Sequence, residues 1–404
     1  MGDNRAVPAT ARPGPPEPHD GRCPAGEALA LLERGTDRAT AVQCADLAFD
    51  DEACLRHVRC LWRAVTVLLC AGELVAADAR LRRLETTCAG PAAELVALLR
   101  AQHTRLAGDL GGARAALAAS VSSAKTPFVR RLAVPFLVDA LAAAGAGEAA
   151  DALLAAHRFA GRPGGTRGTR PLLLAARGSA HLVAGRFPEA ARDYADCLPL
   201  PAAELSAHFA VLHRRGLAAL AAASAGDAER AAALAAQEHE AALAWGSPAY
   251  VGWALYVRAV VDGSEATTAL LDDAIDLLEL ARSRVVLAAA GYERGRRSVA
   301  AGDHAAAKRE FDRAGEWARQ IGNGRLTANV RAALAELAHA AEPGALTAQE
   351  AKIAELARAG YANKQIAEKL YLAVRTVEFH LSNVYRKLGI SSRRELRDGP
   401  ARLP

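Results

Sequence analysis

Arg375, Phe379, Ser382 and Arg386 stand at i, i+4, i+7 and i+11, one face of a helix, with Glu378 and Asn383 beside them. These residue types suit contact with a nucleic acid. Glu378 can accept from the amino group of a cytosine, Phe379 can pack on a thymine methyl, and Ser382 can donate or accept at a base edge. Arg375, Thr376, Asn383, Arg386 and Lys387 around them suit phosphate oxygens, as do Asn363 and Lys364 upstream. The bland alternative is a small helical bundle that shows this face to water.

The elements that must hold these groups are punctuated in the sequence. Thr347 with Glu350 forms an S/T-x-x-E capping box that starts a first helix, and Gly360 stops it. Asn363 is placed to cap a second helix, Lys364 to Leu370, with Ile366 and Leu370 apolar at i and i+4 and Ala367 small where a neighbour must cross. Tyr371 to Ala373 make a turn. A third helix is predicted from Val374 to Leu388, with Val377, Leu381, Val384 and Leu388 on one stripe and Gly389 after it. Ser392 with Glu395 is a second capping box and opens a fourth helix. Two short helices joined by a tight turn, the second longer and polar on one side, describe a helix-turn-helix.

Across 346–398 the sequence resembles the DNA-binding domain of LuxR-type response regulators. The likeness rests on Leu346-Thr347, Glu350, Asn363-Lys364, Ile366-Ala367, Leu370, Arg375-Thr376-Val377, His380, Asn383, Arg386-Lys387-Leu388-Gly389 and Ser391-Ser392-Arg393. The resemblance implies a four-helix domain that binds double-stranded DNA, works with RNA polymerase and pairs as a homodimer. Two departures stand out. Ala373 replaces the usual Ser or Thr cap of the recognition helix, a loss of about 1 kcal/mol in ordinary contexts. Gly399-Pro400 cuts the fourth helix short, which weakens the case for pairing through it.

Charge agrees with the assignment independently of any likeness. Between 343 and 404 there are eleven Lys and Arg against six Asp and Glu, an excess of five that equals the formal charge of the whole chain. A neutral body with a basic end is the footprint of a protein whose end meets a polyanion.

The remaining chain reads as helix. Of 404 residues 51% are hydrophobic and 24% charged, ample for a core and for more than one domain, and no apolar run reaches membrane length. Residues 1–25, rich in Pro, Gly and charge, are expected to form a disordered tail without a signal peptide or a myristoylation site. From 26 to 341 the composition is rich in Ala, Leu, Arg and Glu, and a Gly-x-x-x-x-Ala motif recurs. Its copies are Gly72/Ala77, Gly108/Ala113, Gly147/Ala152, Gly185/Ala190, Gly226/Ala231 and Gly302/Ala307, with Gly263/Thr268 an imperfect one. Within 181–198 a first helix should end at Gly185 and the next open at Pro188, with Ala190 at their closest approach. Such a period predicts stacked helical hairpins and resembles tetratricopeptide repeats. A generic helical array without true repeat geometry is the alternative. Residues 342–345 read as a linker and 399–404 as a second disordered tail.

Residues 278–337, followed directly by the basic domain, resemble the C-terminal end of large ATP-binding LuxR-family regulators. No G-x-x-x-x-G-K-[ST] motif occurs, and the Gly-rich 161–170 lacks the Lys and hydroxyl of a phosphate cradle. It reads as a loop or, less simply, an anion site. Neither a catalytic constellation nor a metal-ligand spacing emerges. Cysteines at 23, 44, 54, 60, 70, 88 and 197 read as buried free thiols, with Cys54, Cys60 and His57 a poor zinc pattern. Trp245, Tyr250, Trp253 and Tyr256 cluster after a Ser247-Pro248 helix start. They could line a concave surface for a small-molecule effector or a protein partner, or fill the joint between repeats.

The expectation is an all-α protein: a tetratricopeptide-like hairpin solenoid followed by a four-helix LuxR-type reader, without cofactor or catalysis. It would be a cytoplasmic, nucleoid-associated transcriptional regulator that activates its promoter. The alternative is a repeat scaffold whose reader domain is inactive, and a degenerate nucleotide hydrolase is a third, weaker reading.

Overall fold

The computed structural model describes residues 23–157, 159, 170–198, 213–341, 346, 348–370, 372 and 374–398. The Gly-rich 161–169, the linker, Thr347, Tyr371, Ala373 and both predicted tails other than Cys23, Pro24 and Ala25 lie outside these residues. Among the described residues there are 22 α-helices and no strand. None of the helices is long and apolar enough to cross a membrane. The chain divides into two compact units, one comprising Met1–Leu287 with Gln320–Asn323, the other Ala288–Arg319 with Gly324–Pro404.

The first unit opens with α1 (Pro24–Arg34), α2 (Arg38–Leu47) and the short α3 (Glu52–Arg56). The fold begins before residue 26, because Cys23 and Ala25 are already buried. Pro24 suits the start of α1, where a missing amide costs nothing.

Six hairpins follow. Their first helices are α4 (Val58–Ala71), α6 (Pro91–Leu106), α8 (Pro127–Ala143), α10 (Arg170–Val183), α12 (Arg214–Ser224) and α14 (Pro248–Asp262). Their second helices are α5 (Leu74–Thr87), α7 (Leu110–Ser123), α9 (Gly147–Ala156), α11 (Phe187–Cys197), α13 (Ala228–Trp245) and α15 (Thr268–Leu280). Each helix packs on its successor, and the first helix of each hairpin packs also on the first helix of the next. No single hairpin can bury both of its apolar faces, so burial is completed by the neighbour.

One stitch recurs where the hairpins turn. At successive joints the backbone amides of Glu73, Asp109, Ala146, Arg186 and Asp227 bond back to Leu68, Thr104, Leu141, His181 and Ala222 carbonyls at 2.9–3.0 Å. This six-to-one closure needs a left-handed residue just before the donor, and Gly185 supplies it with φ 76°. The third copy of the motif is shifted from the sequence expectation. Gly145, not Gly147, takes the left-handed turn at φ 78°, while Gly147 begins α9. The buried partner is Ala150, and Ala152 faces water.

Polar pairs fix the register of the hairpins. Arg177 Nε donates to Asp193 Oδ2 at 2.8 Å between α10 and α11, and the buried Tyr194 hydroxyl lies 3.0 Å from Ser179 Oγ. Asn323 Nδ2 donates to the Ala143 carbonyl at 2.9 Å, joining positions far apart in sequence.

The aromatic cluster belongs to the joint between α12, α13 and α14. Trp245, Tyr250 and Trp253 are buried, and Tyr256 is half-buried with its ring 5.9 Å from that of Trp253. Trp253 Nε1 donates to the fully buried Glu238 Oε1 at 2.9 Å, and the His213 ring meets Tyr250 edge-on at 4.8 Å. Beside them lies a cavity of about 70 Å³ bordered by Cys70, Arg105, His213, Ser247, Tyr250 and Trp253. That is room for a few waters, well below the ~300 Å³ of an ordinary ligand pocket. Ser247 precedes α14 without a side-chain cap.

Gly216 is the closest approach at this joint. A Cβ there would sit 2.7 Å from Trp253 Nε1 and 3.1 Å from Glu238 Oε1. Gly216→Ala is therefore expected to force the ring off its carboxylate and to cost about 1–3 kcal/mol. Urea unfolding followed by tryptophan fluorescence measures this, and an unchanged midpoint would show that the joint has slack.

In the second unit, residues from Ala288 belong to α16 (Arg284–Ala300), which is followed by α17 (His304–Ile321) and α18 (Gly324–Ala341). Gly295 lies under the Phe311 ring, and Phe311 with Ala307, Ala314, Val330 and Leu337 forms a small core. The last four helices, α19 (Ala348–Arg358), α20 (Asn363–Leu370), α21 (Val374–Leu388) and α22 (Arg393–Asp398), carry the basic segment.

Candidate nucleic-acid interface

α19 to α22 close around a core of their own: Ile353, Ala354 and Ala357 from α19, Ile366 and Ala367 from α20, Val377, Leu381 and Val384 from α21, with Leu346 and Leu396. Leu370 and Leu388 pack at its rim. The apolar stripe legible in the sequence of α21 is thus the face that docks on α19 and α20. Gly360 and Gly389 end α19 and α21 with φ 95° and 65°.

Burial of that stripe turns the opposite side of α21 outward. Arg375, Glu378, Phe379, Ser382 and Arg386 are exposed, and Thr376 and Asn383 are half-buried at the edges. Phe379 is 65% exposed, the most exposed aromatic side chain among the described residues, with its ring edge-on to half-buried His380 at 5.8 Å. A ring held mostly in water adds little to folding. Ser382 Oγ donates to the Glu378 carbonyl at 3.0 Å, which keeps the hydroxyl on the helix surface as an acceptor.

The start of α20 differs from the sequence expectation. Asn363 is the first residue of the helix rather than its cap, and the Ala362 amide donates to Gln365 Oε1 at 2.9 Å. Asn363 Oδ1 accepts from Arg393 Nη1 at 2.6 Å, and the same guanidinium donates to the Tyr361 carbonyl. Arg393, in α22, therefore ties the fourth helix to the beginning of the second. Lys364 projects into solvent beside this knot. Lys369 lies over the Tyr361 ring, 4.8 Å from its centroid.

The second capping box forms with its return bond shifted by one residue, to the amide of Ser391 rather than that of Ser392. Glu395 N donates to Ser392 Oγ at 3.3 Å, while Glu395 Oε2 accepts from Ser391 N at 2.9 Å. The first box rests on Thr347, which lies outside the described residues, whereas Glu350 is described. Its carboxylate is buried and accepts from Lys387 Nζ at 2.7 Å. The Lys387 side chain is only 17% exposed, so the ammonium assigned from sequence to a phosphate is engaged inside the domain.

Lys364, Arg375 and Arg386 are thus the exposed cations among the predicted backbone contacts, and Arg375 and Arg386 stand before and after Glu378, Phe379 and Ser382 along α21. A model of bacterial regulatory proteins of the luxR family matches residues 344–398. Residues 344–398 are a LuxR-family helix-turn-helix domain.

Among curated proteins, the chain is 46% identical over 59 residues to a Mycobacterium bovis protein named as an HTH-type transcriptional regulator, covering 15% of this chain and 7% of that protein. A Mycobacterium tuberculosis protein of the same description matches to the same extent. Oxygen regulatory protein NreC of Staphylococcus aureus is 47% identical over 51 residues, or 13% of this chain and 24% of NreC. The chain therefore spans less than a tenth of the mycobacterial relatives and about a quarter of NreC. In the LuxR-family domain the departure at Ala373 falls outside the described residues.

Sequence reasoning missed three contacts here: Lys387 to Glu350, Arg393 to Asn363, and Gln365 to Ala362. A Gln at the third position of a helix is a recognisable half of a capping box, so the last was open to detection. The other two join positions 37 and 30 residues apart and have no local signature.

Proposed function

We propose that the chain is a sequence-specific DNA-binding transcription regulator that places α21 in the major groove. The observation that carries this reading is the solvent-facing row of Glu378, Phe379 and Ser382 on the second helix of a LuxR-family helix-turn-helix. Lys364, Arg375 and Arg386, aided by Asn363, Thr376 and Asn383, hold phosphates on either side and fix the register. Lys387 is left out of that set because of its bond to Glu350. The resemblance to LuxR-type regulators supports promoter activation through RNA polymerase, with the hairpin array receiving an effector or a partner protein.

Fragments selected from genomic DNA by the full chain supply the duplex for the test. Binding is expected to be lost in a chain ending at Ala341. Three exposed cations per domain predict that log K falls against log salt with a slope of about −2.7 for each domain engaged. Equal binding by the chain ending at Ala341 would instead favour the scaffold reading.

A further inference from the structure

Cys23, Cys54 and Cys60 come from three different elements, yet their sulfurs all lie within 4.8 Å of one another. Cys23 precedes α1, Cys54 lies in α3, and Cys60 lies in the first turn of α4. The Cys23 and Cys60 sulfurs are 3.7 Å apart, and all three residues are buried. Chance packing of small apolar residues would serve the core equally well with Ala or Val. What distinguishes this set is convergence of three soft donors on one point.

The dimensions fit a metal ion. Metal–sulfur bonds of about 2.3 Å place ligand sulfurs roughly 3.8–4.0 Å apart, close to the 3.7 Å between Cys23 and Cys60 and inside the 4.8 Å that bounds the set. Among the described residues the set takes in no His, Asp or Glu, so it offers sulfur alone, a donor set that selects soft ions over magnesium or calcium. The surroundings favour thiolate once an ion arrives. The Ala25 amide, in the first turn of α1, acts on the Cys54 thiol in the direction that favours thiolate, and the amino end of that helix carries partial positive charge.

We infer that Cys23, Cys54 and Cys60 form a three-thiolate site for a soft, thiophilic metal ion of charge two or three. The charge follows from burial: three thiolates around a trivalent ion are neutral and around a divalent ion carry one negative charge, whereas a monovalent ion would leave two in a dry place. Binding forms three metal–sulfur bonds and breaks three S–H bonds, with the protons passing to solvent for a divalent ion and, for arsenite, to its three oxygens, which leave as water when the As–O bonds break. Burial holds the Cys54 thiol above its ordinary range and pushes the Cys60 thiol up to about 12. The ion would pin the start of α1 to α3 and α4, which pack together in the apoprotein.

The test uses the reduced, full-length chain and cadmium ion as probe, with arsenite as a trivalent arm. The expected result is one ion per chain, an ultraviolet cadmium–thiolate charge-transfer band, and a saturable rise in melting temperature. Cys54→Ser with Cys60→Ser should abolish all three, while Cys88→Ser, at the end of α5, should abolish none. Because the double variant could unfold, alkylation of the wild-type chain is mapped by peptide mass. Bound ion should protect Cys23, Cys54 and Cys60 at least tenfold and leave Cys88 labelled as before. No stoichiometric binding, binding that survives in a folded double variant, or protection at cysteines other than these three would overturn the site.

Discussion

Lys387→Ala is expected to destabilise the LuxR-family domain by about 3 kcal/mol and to leave the salt dependence of DNA binding by the folded protein unchanged. Lys387 Nζ stands 2.7 Å from Glu350 Oε2, with side chains 17% and 6% exposed. Removing the ammonium takes the opposite charge from a carboxylate that has almost no access to water. Breaking a buried pair in this way typically costs ~3–5 kcal/mol, and the lower end applies because the lysine reaches the rim. A domain of this size has only about 5 kcal/mol in total, so most of its stability is at stake. Glu350→Gln should cost less, since the lysine stem can carry its charge outward. Lys387→Met combined with Glu350→Leu removes both charges and should restore much of the loss. Chemical unfolding of these three variants beside wild type checks the order. A Lys387→Ala protein that unfolds like wild type, with a salt slope reduced by about one, would return Lys387 to the phosphates.

That outcome separates two kinds of information in the sequence. Features fixed within about four residues were legible: the bounds of α21, the stops at Gly360 and Gly389, and the Ser392–Glu395 box all depend on local backbone bonding. The all-helical fold followed from composition and period, which report how apolar faces must be covered. Features that require knowing which distant residue arrives were not legible. Lys387 looked like one more cation of a basic helix until α19 brought Glu350 beneath it. Asn363 looked like a cap because Asn usually is one, but Arg393 occupies its oxygen and Gln365 serves the amide instead. Gly147 and Gly145 satisfy the same pattern two residues apart, and only the burial of Ala150 decides between them. The seven cysteines read as buried free thiols because the spacing of Cys23, Cys54 and Cys60 in sequence says nothing of their convergence in space.

The second large effect is expected at the tip of the exposed row. Phe379→Ala should weaken binding to the selected DNA by roughly ten- to a hundredfold while leaving the unfolding free energy within about 0.5 kcal/mol of wild type. Stability is spared because the ring is 65% exposed and forms no part of the core around Val377, Leu381 and Val384. Affinity is lost because a ring on a thymine methyl removes apolar surface from water on both partners. Glu378→Gln, one residue away, should behave differently. A carboxylate facing a polyanion is costly unless it accepts from a base, so its removal relaxes preference at one base pair and leaves or raises affinity for random duplex. The pair of substitutions therefore distinguishes reading from mere attachment. Selection from a randomised duplex, at fixed salt, should return a degenerate position for Glu378→Gln and a weakened thymine for Phe379→Ala. If both folded variants select the same sequences as wild type with the same affinity, α21 is not in the groove and the helix-turn-helix serves another surface.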